Sequence, residues 1–245
     1  MKLSLKSVHL KGISVSMMIV GEVLRQFVYQ VSIGSSTELL PWQKVWYYFG
    51  YFLYLGGFPL AAFLLVEGAK KTSNKLFFLG RLCLAGMIAE LLLDIALYGQ
   101  ELFSYSIYPQ NYFFTLAFGL CVIYLVEILA NYITAGSFLY NLITLVLYVV
   151  VTIIVALLQL EQGSLGILVI IALYVCYGNR LLSLSLVGVL YVLFLKGIGM
   201  FSIIPAFSLV LLWFYQGVEG KKARWCFYLA YPVAYLMLGV LVRFL

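Results

Sequence analysis

GFPLAAFLLVEG (57–68), AKKTSNK (69–75), LFFLGRLCLAGMIAELLLDIALYG (76–99) and YPQNYFFT (108–115) form the stretch on which the reading of the chain turns. Two apolar runs of membrane-crossing length flank a turn rich in lysine. The second run carries Arg81, Glu90 and Asp94 among residues that are almost all apolar. A water-soluble helix puts such residues on a wet face, and this sequence offers none. Ionisable groups inside a membrane-length segment are costly and mark candidate functional positions.

The rest of the chain agrees with this reading. Of 245 residues, 65% are hydrophobic and only 10% are charged. A soluble domain would be near one quarter charged. A spanning helix needs about 20 mostly apolar residues. Such segments, some of them short, can be drawn at Val8–Val31, Val45–Glu67, Leu76–Tyr98, Asn111–Ile133, Phe138–Leu158, Gly163–Tyr177, Leu181–Leu195, Met200–Tyr215 and Trp225–Leu245. The expected fold is therefore all-α: a polytopic membrane bundle of about nine transmembrane helices in a single domain over 1–245. The alternation of a membrane barrel is absent, and no internal repeat is visible. Lys2, Lys6 and Lys11 precede the first apolar run. Glu22 and Arg25 interrupt that run and no small-residue cleavage site follows, so it reads as a retained helix.

The net charge of +6 is not a nucleic-acid signal, because the basic residues cluster in turns. Lys2, Lys6, Lys11, Lys70, Lys71, Lys75, Arg180, Lys221, Lys222 and Arg224 fall on one side of the expected bundle, against Lys44, Lys196 and Arg243 on the other. The positive-inside rule then puts the N-terminus in the cytoplasm. Cys83, Cys121, Cys176 and Cys226 stand singly in apolar runs and read as small buried hydrophobes, so no metal site is expected. No phosphate-binding glycine loop, nucleophile elbow or zinc-helix motif occurs.

Depth follows from the helical rise of ~1.5 Å per residue. Glu22 and Arg25 lie ~21 and ~25 Å from the inner end of their helix, and Glu90 and Asp94 lie ~21 and ~27 Å from the inner end of theirs. Gln110 and Asn111 begin the fourth helix on the outer side. These six residues share the outer half of the membrane, where Arg25 is in range of Glu90 or Asp94. The local alternative pairs Arg25 with Glu22, and the alternative for Gln110 and Asn111 is helix capping. Glu127 differs: it lies ~24 Å below the outer end, in the inner half. Glu67 is expected to pair with Lys70 or Lys71. Gly56, Gly57 and Pro59 are expected to break the second helix beside these charges, because proline removes a backbone donor.

Taken in order, GFPLAAFLLVEG with its basic turn, AELLLDIALYG and PQNYFFT resemble the TraX family of bacterial membrane proteins. The resemblance returns at WCFYLAYPVAYL (225–236). That family is named for a protein implicated in N-acetylating pilin, and the resemblance implies a fold related to larger membrane acyltransferases. Pro59, Glu67, Gly68, Glu90, Asp94, Gln110, Asn111 and Thr115 carry over. Two matches fail. The family's Asp-His in the first helix corresponds to Val20 and Gly21 in MMIVGEV, and its histidine in the last helix corresponds to Ala234 in YPVAYL. Acyl transfer needs a group that takes the nucleophile's proton. The one histidine, His9, lies ~18 Å from position 21 along the helix. Glu22 and Glu90 are the candidate catalytic substitutes; Arg25, Asp94, Gln110, Asn111 and Thr115 are the candidate polar cluster around a substrate.

Three functions follow as expectations. One is a diverged, non-catalytic member in the bacterial plasma membrane that serves a surface-modification or secretion assembly through a peptide, pilin or membrane-protein partner. Another is an active acyltransferase that uses acetyl-CoA or another acyl-CoA to acylate an amine or hydroxyl near the outer face. A third is a small transporter. The orientation can be tested first. In a variant without native cysteines, a cysteine at Ser104 should react with an external reagent and one at Asn74 should not. Labelling at 74 from outside would reverse the topology.

Overall fold

The computed structural model describes residues 6–33, 40–98, 111–195, 205–217, 228–234 and 236–237, without the side chains of 26–27, 29–33, 93–98 and 205–206. Among the described residues there is no β-strand. The helices are α1 (Ser7–Ile33), α2 (Pro41–Lys71), α3 (Lys75–Tyr98), α4 (Tyr112–Tyr132), α5 (Phe138–Leu157), α6 (Gly163–Val175), α7 (Arg180–Phe194) and α8 (Pro205–Trp213). Residues 228–234 and 236–237 are helical as well and fall inside the last expected segment. The bounds of α1 to α7 agree with the hydropathy reading to within about one turn. Among the described residues, α1 over Ser7–Arg25, α2, α4 and α5 are long and apolar enough to cross a membrane; α6 and α7 are shorter apolar helices. The chain is a membrane protein built as a helical bundle.

Two compact units can be distinguished. The first takes residues 1–61, 91–104 and 191–245, and the second takes 62–90 and 105–190. In the first, α1 and α2 pack at two points spaced seven residues apart on each helix. Gly21 meets Gly50, and Ser14 and Met18 meet Gly57. A Cβ built on Gly21 would lie 2.5 Å from the Tyr54 backbone nitrogen and 2.6 Å from the Gly50 carbonyl oxygen. Small residues allow such backbone approach where lipid supplies no hydrophobic drive between helices.

The expected break in α2 does not occur. The helix runs unbroken for 31 residues with Pro59 inside it. Proline has no N–H for the carbonyl four residues back, which is that of Leu55, and its ring crowds the preceding turn. Three hydroxyls supply donors at this point. Tyr191 donates to the Leu55 carbonyl at 3.3 Å, Ser208 to that of Gly56, and Ser14 to that of Gly57 at 2.8 Å. All three side chains are buried. A helix in lipid can contain proline when neighbouring side chains satisfy the freed carbonyls, and here α1, α7 and α8 each contribute one.

The second unit centres on α4, α5 and α6. Val122, Val151, Val155, Leu160 and Ile167 form its buried cluster, with Phe114, Phe118, Leu147, Tyr148 and Ile171 against it. Ser137 caps α5 by accepting from the Tyr140 amide, and Gly136 supplies the positive φ of +84° that the preceding turn requires. The outward residues of α5, from Phe138 through Leu145 and Val149 to Leu157, are apolar and exposed, as lipid contact demands.

The glycine contact makes a prediction. Gly21→Ala should destabilise the protein by about 1–3 kcal/mol, because the added methyl meets backbone on both sides. Gly12→Ala, on the same helix with nothing within 4 Å of its Cβ, should be neutral or stabilising. Thermal unfolding in detergent measures both; equal effects would refute the close crossing.

Candidate functional site

The polar residues singled out in the sequence divide between the two units. In the first unit, Glu22 is buried and accepts from the Arg25 guanidinium at 2.9 Å. Arg25 also lies over two rings of α2, 5.5 Å from the Tyr51 centroid and 5.1 Å from that of Tyr54. The local alternative for Arg25 is therefore present. Glu90 belongs to the second unit, and the Asp94 side chain lies outside the described residues. Gln110, Lys221, Lys222 and Arg224 lie outside them too.

In the second unit, Glu90 and Asn111 tie α3 to the start of α4. The Asn111 side-chain amide donates to Glu90 Oε2 at 2.7 Å and to the Gly86 carbonyl at 2.9 Å, and its backbone N–H reaches the same Oε2 at 3.2 Å. Asn111 Oδ1 accepts from the Phe113 amide at 3.1 Å and so caps α4. Each part has a reason. The first amides of a helix lack intrahelical acceptors. Asparagine is among the best residues to supply one. A carboxylate is favoured at the positive end of the helix dipole. Thr115, one turn further, is fully buried, and its Oγ1 has no hydrogen-bond partner among the described residues.

A third cluster gathers at the turn between α2 and α3. Glu127 of α4 binds Lys75 through one oxygen and Lys70 through the other, the latter at 3.6 Å. Lys70 lies 4.1 Å from the Tyr174 ring centroid on α6, and Lys75 lies 5.4 Å from that of Tyr124 on α4. Glu67 pairs with Lys71 at 2.9 Å, which decides between its two expected partners. Asn74 Oδ1 accepts from the Phe77 amide and starts α3. Sequence reasoning noted the depth of Glu127 but gave it no partner. The signal was there, because its inner-half position matches the level of the lysine turn. Tyr124 and Tyr174 carried no such signal, since tyrosines are common in apolar helices.

Among the described residues no group of histidine, cysteine or carboxylate side chains could hold a metal ion. The arrangement contains two carboxylates in committed bonds, Glu22 with Arg25 and Glu90 with Asn111, and a cationic surface around Glu127.

The family model described as TraX protein matches residues 8–242, nearly the whole chain. The chain belongs to the TraX family. Neither the curated proteins nor the solved structures contain a match to it. Within this TraX-family chain, Gly21 sits against the α2 backbone and Ala234 is half-buried in the helical stretch 228–234.

The clamp between α3 and α4 predicts that Glu90→Met lowers stability by about 1–3 kcal/mol, since it leaves two donors without their acceptor. Glu90→Gln, which keeps one oxygen, should cost less. Thermal unfolding of the purified variants decides this, and a neutral Glu90→Met would mean that the clamp carries no stability.

Proposed function

We propose that this TraX-family membrane protein is a non-catalytic member of its fold, acting in a bacterial plasma membrane as part of a surface-modification or secretion assembly, with its N-terminus in the cytoplasm. One observation carries the reading. At position 21, where the resemblance to the family places an imidazole, the α2 backbone lies so close that not even a Cβ fits. The lost side chain has left no gap; the helices have closed over its place.

The carboxylate substitutes fare no better. Glu22 is held by Arg25, and Glu90 is held by Asn111 at the cap of α4. A proton taken up by either group would remove its charge and so weaken a bond that holds two residues or two helices in place. Loss of a positioned general base typically costs 10²–10⁴-fold in rate.

The test uses the purified chain in nanodiscs with acetyl-CoA and a panel of amine and hydroxyl acceptors. Release of free CoA should not exceed that of protein-free discs. Acceptor-dependent release that is abolished by Glu22→Gln or Glu90→Gln would overturn the proposal and favour an acyltransferase with a carboxylate base.

A further inference from the structure

The cluster at the α2–α3 turn is not used by the reading above, and its charges do not balance. Lys70 and Lys75 share the single carboxylate of Glu127, while Lys71 is matched by Glu67. Among the described residues Glu127 is ion-paired with these two lysines. Arg81 lies instead over the rings of Phe77 and Phe78, at 5.0 and 5.5 Å from their centroids. Its Nε–H is buried with no acceptor among the described residues. The Tyr124 hydroxyl is in the same position: the residue is 6% exposed and the oxygen has no partner among the described residues. Lys75 lies 5.4 Å from the Tyr124 ring centroid, and the charges of Glu127 and Arg81 both act on its hydroxyl. Two buried donors and a surplus of positive charge therefore converge on one place.

Buried donors without acceptors are rare enough to call for an explanation. A phosphate group offers several acceptor oxygens and negative charge, and arginine is well shaped to bind it. Lys70 and Lys75 keep 36% and 41% of their side chains exposed, so an anion can reach both ammonium groups from the surface.

We infer that this cluster binds the phosphate of an anionic phospholipid headgroup. The outer face of α3 chooses the lipid over a soluble phosphate. Leu76 and Phe77 are exposed beside the lysine turn, and Phe77, Gly80, Leu84 and Met87 continue as an exposed stripe at helical spacing. Gly80 leaves that stripe open, with nothing within 4 Å of where its side chain would be. An acyl chain can lie along the stripe while the headgroup meets Lys70, Lys75 and Arg81. Basic clusters of this kind between transmembrane helices suit anionic headgroups.

The full chain is tested in nanodiscs made from equal amounts of phosphatidylglycerol and phosphatidylcholine. Mass spectrometry measures the lipid retained after transfer to detergent. The wild type should retain phosphatidylglycerol preferentially, and Arg81→Gln should lower that preference about fivefold. Lys71→Gln removes the same charge from the neighbouring lysine that Glu67 pairs, and should leave the preference unchanged. If Arg81→Gln does not fold, Lys70→Gln takes its place, with Glu127 still held by Lys75, and the same loss is expected. No preference in the wild type, equal losses in the cluster variant and Lys71→Gln, or displacement of the lipid by inorganic phosphate would each overturn the inference.

Discussion

Backbone carbonyls have no water to turn to inside a bilayer, and α2 contains the residue that frees one. Pro59 withholds the donor that the Leu55 carbonyl would otherwise receive. Tyr191, Ser208 and Ser14 place hydroxyls on three successive carbonyls, those of Leu55, Gly56 and Gly57. The first unit is arranged around this requirement. α1 must lie close enough for a serine to reach α2, which in turn needs glycine at the crossing points. α7 must end, and α8 must begin, where their hydroxyls meet the same turn. An unsatisfied carbonyl in lipid costs several kcal/mol, so these three contacts belong together.

The charged residues serve a similar purpose in the second unit. Glu90 reaches across to the cap of α4, and Glu127 reaches back to the lysines of the α2–α3 turn. α4 is thus tied near both of its ends by a carboxylate, one on the neighbouring helix and one of its own. Between these ties its buried side is apolar and packs with α5 and α6. Removing one partner of such a tie leaves the other desolvated, which explains how a chain with so few charges keeps them in membrane-length helices.

The same geometry bears on chemistry. A catalytic carboxylate needs freedom to exchange a proton with a substrate. Glu22 and Glu90 are each engaged by a neighbour, and the approach of α1 to α2 at Gly21 fills the place where a larger side chain would project. The cationic cluster around Glu127 stands apart, because its donors outnumber its acceptors.

The helices, their bounds and the membrane class were legible in the sequence, because hydropathy over about 20 residues reports directly on burial in lipid. The family was legible from the order of its motifs, and helix capping by Asn111 was legible as an alternative. The partners were legible only in part. The local pairing of Arg25 with Glu22 was one of the alternatives that the sequence offered, but depth fixes only one coordinate, and rotation about each helix decides which side chains meet. Glu127 and the lysines show the same limit, as does Pro59, which the sequence marked as a break. Whether a proline breaks a helix depends on donors from elsewhere in the chain. Only the tertiary structure brings Ser14, Tyr191 and Ser208 to it, and hydrogen bonds between residues up to 152 positions apart have no local signature.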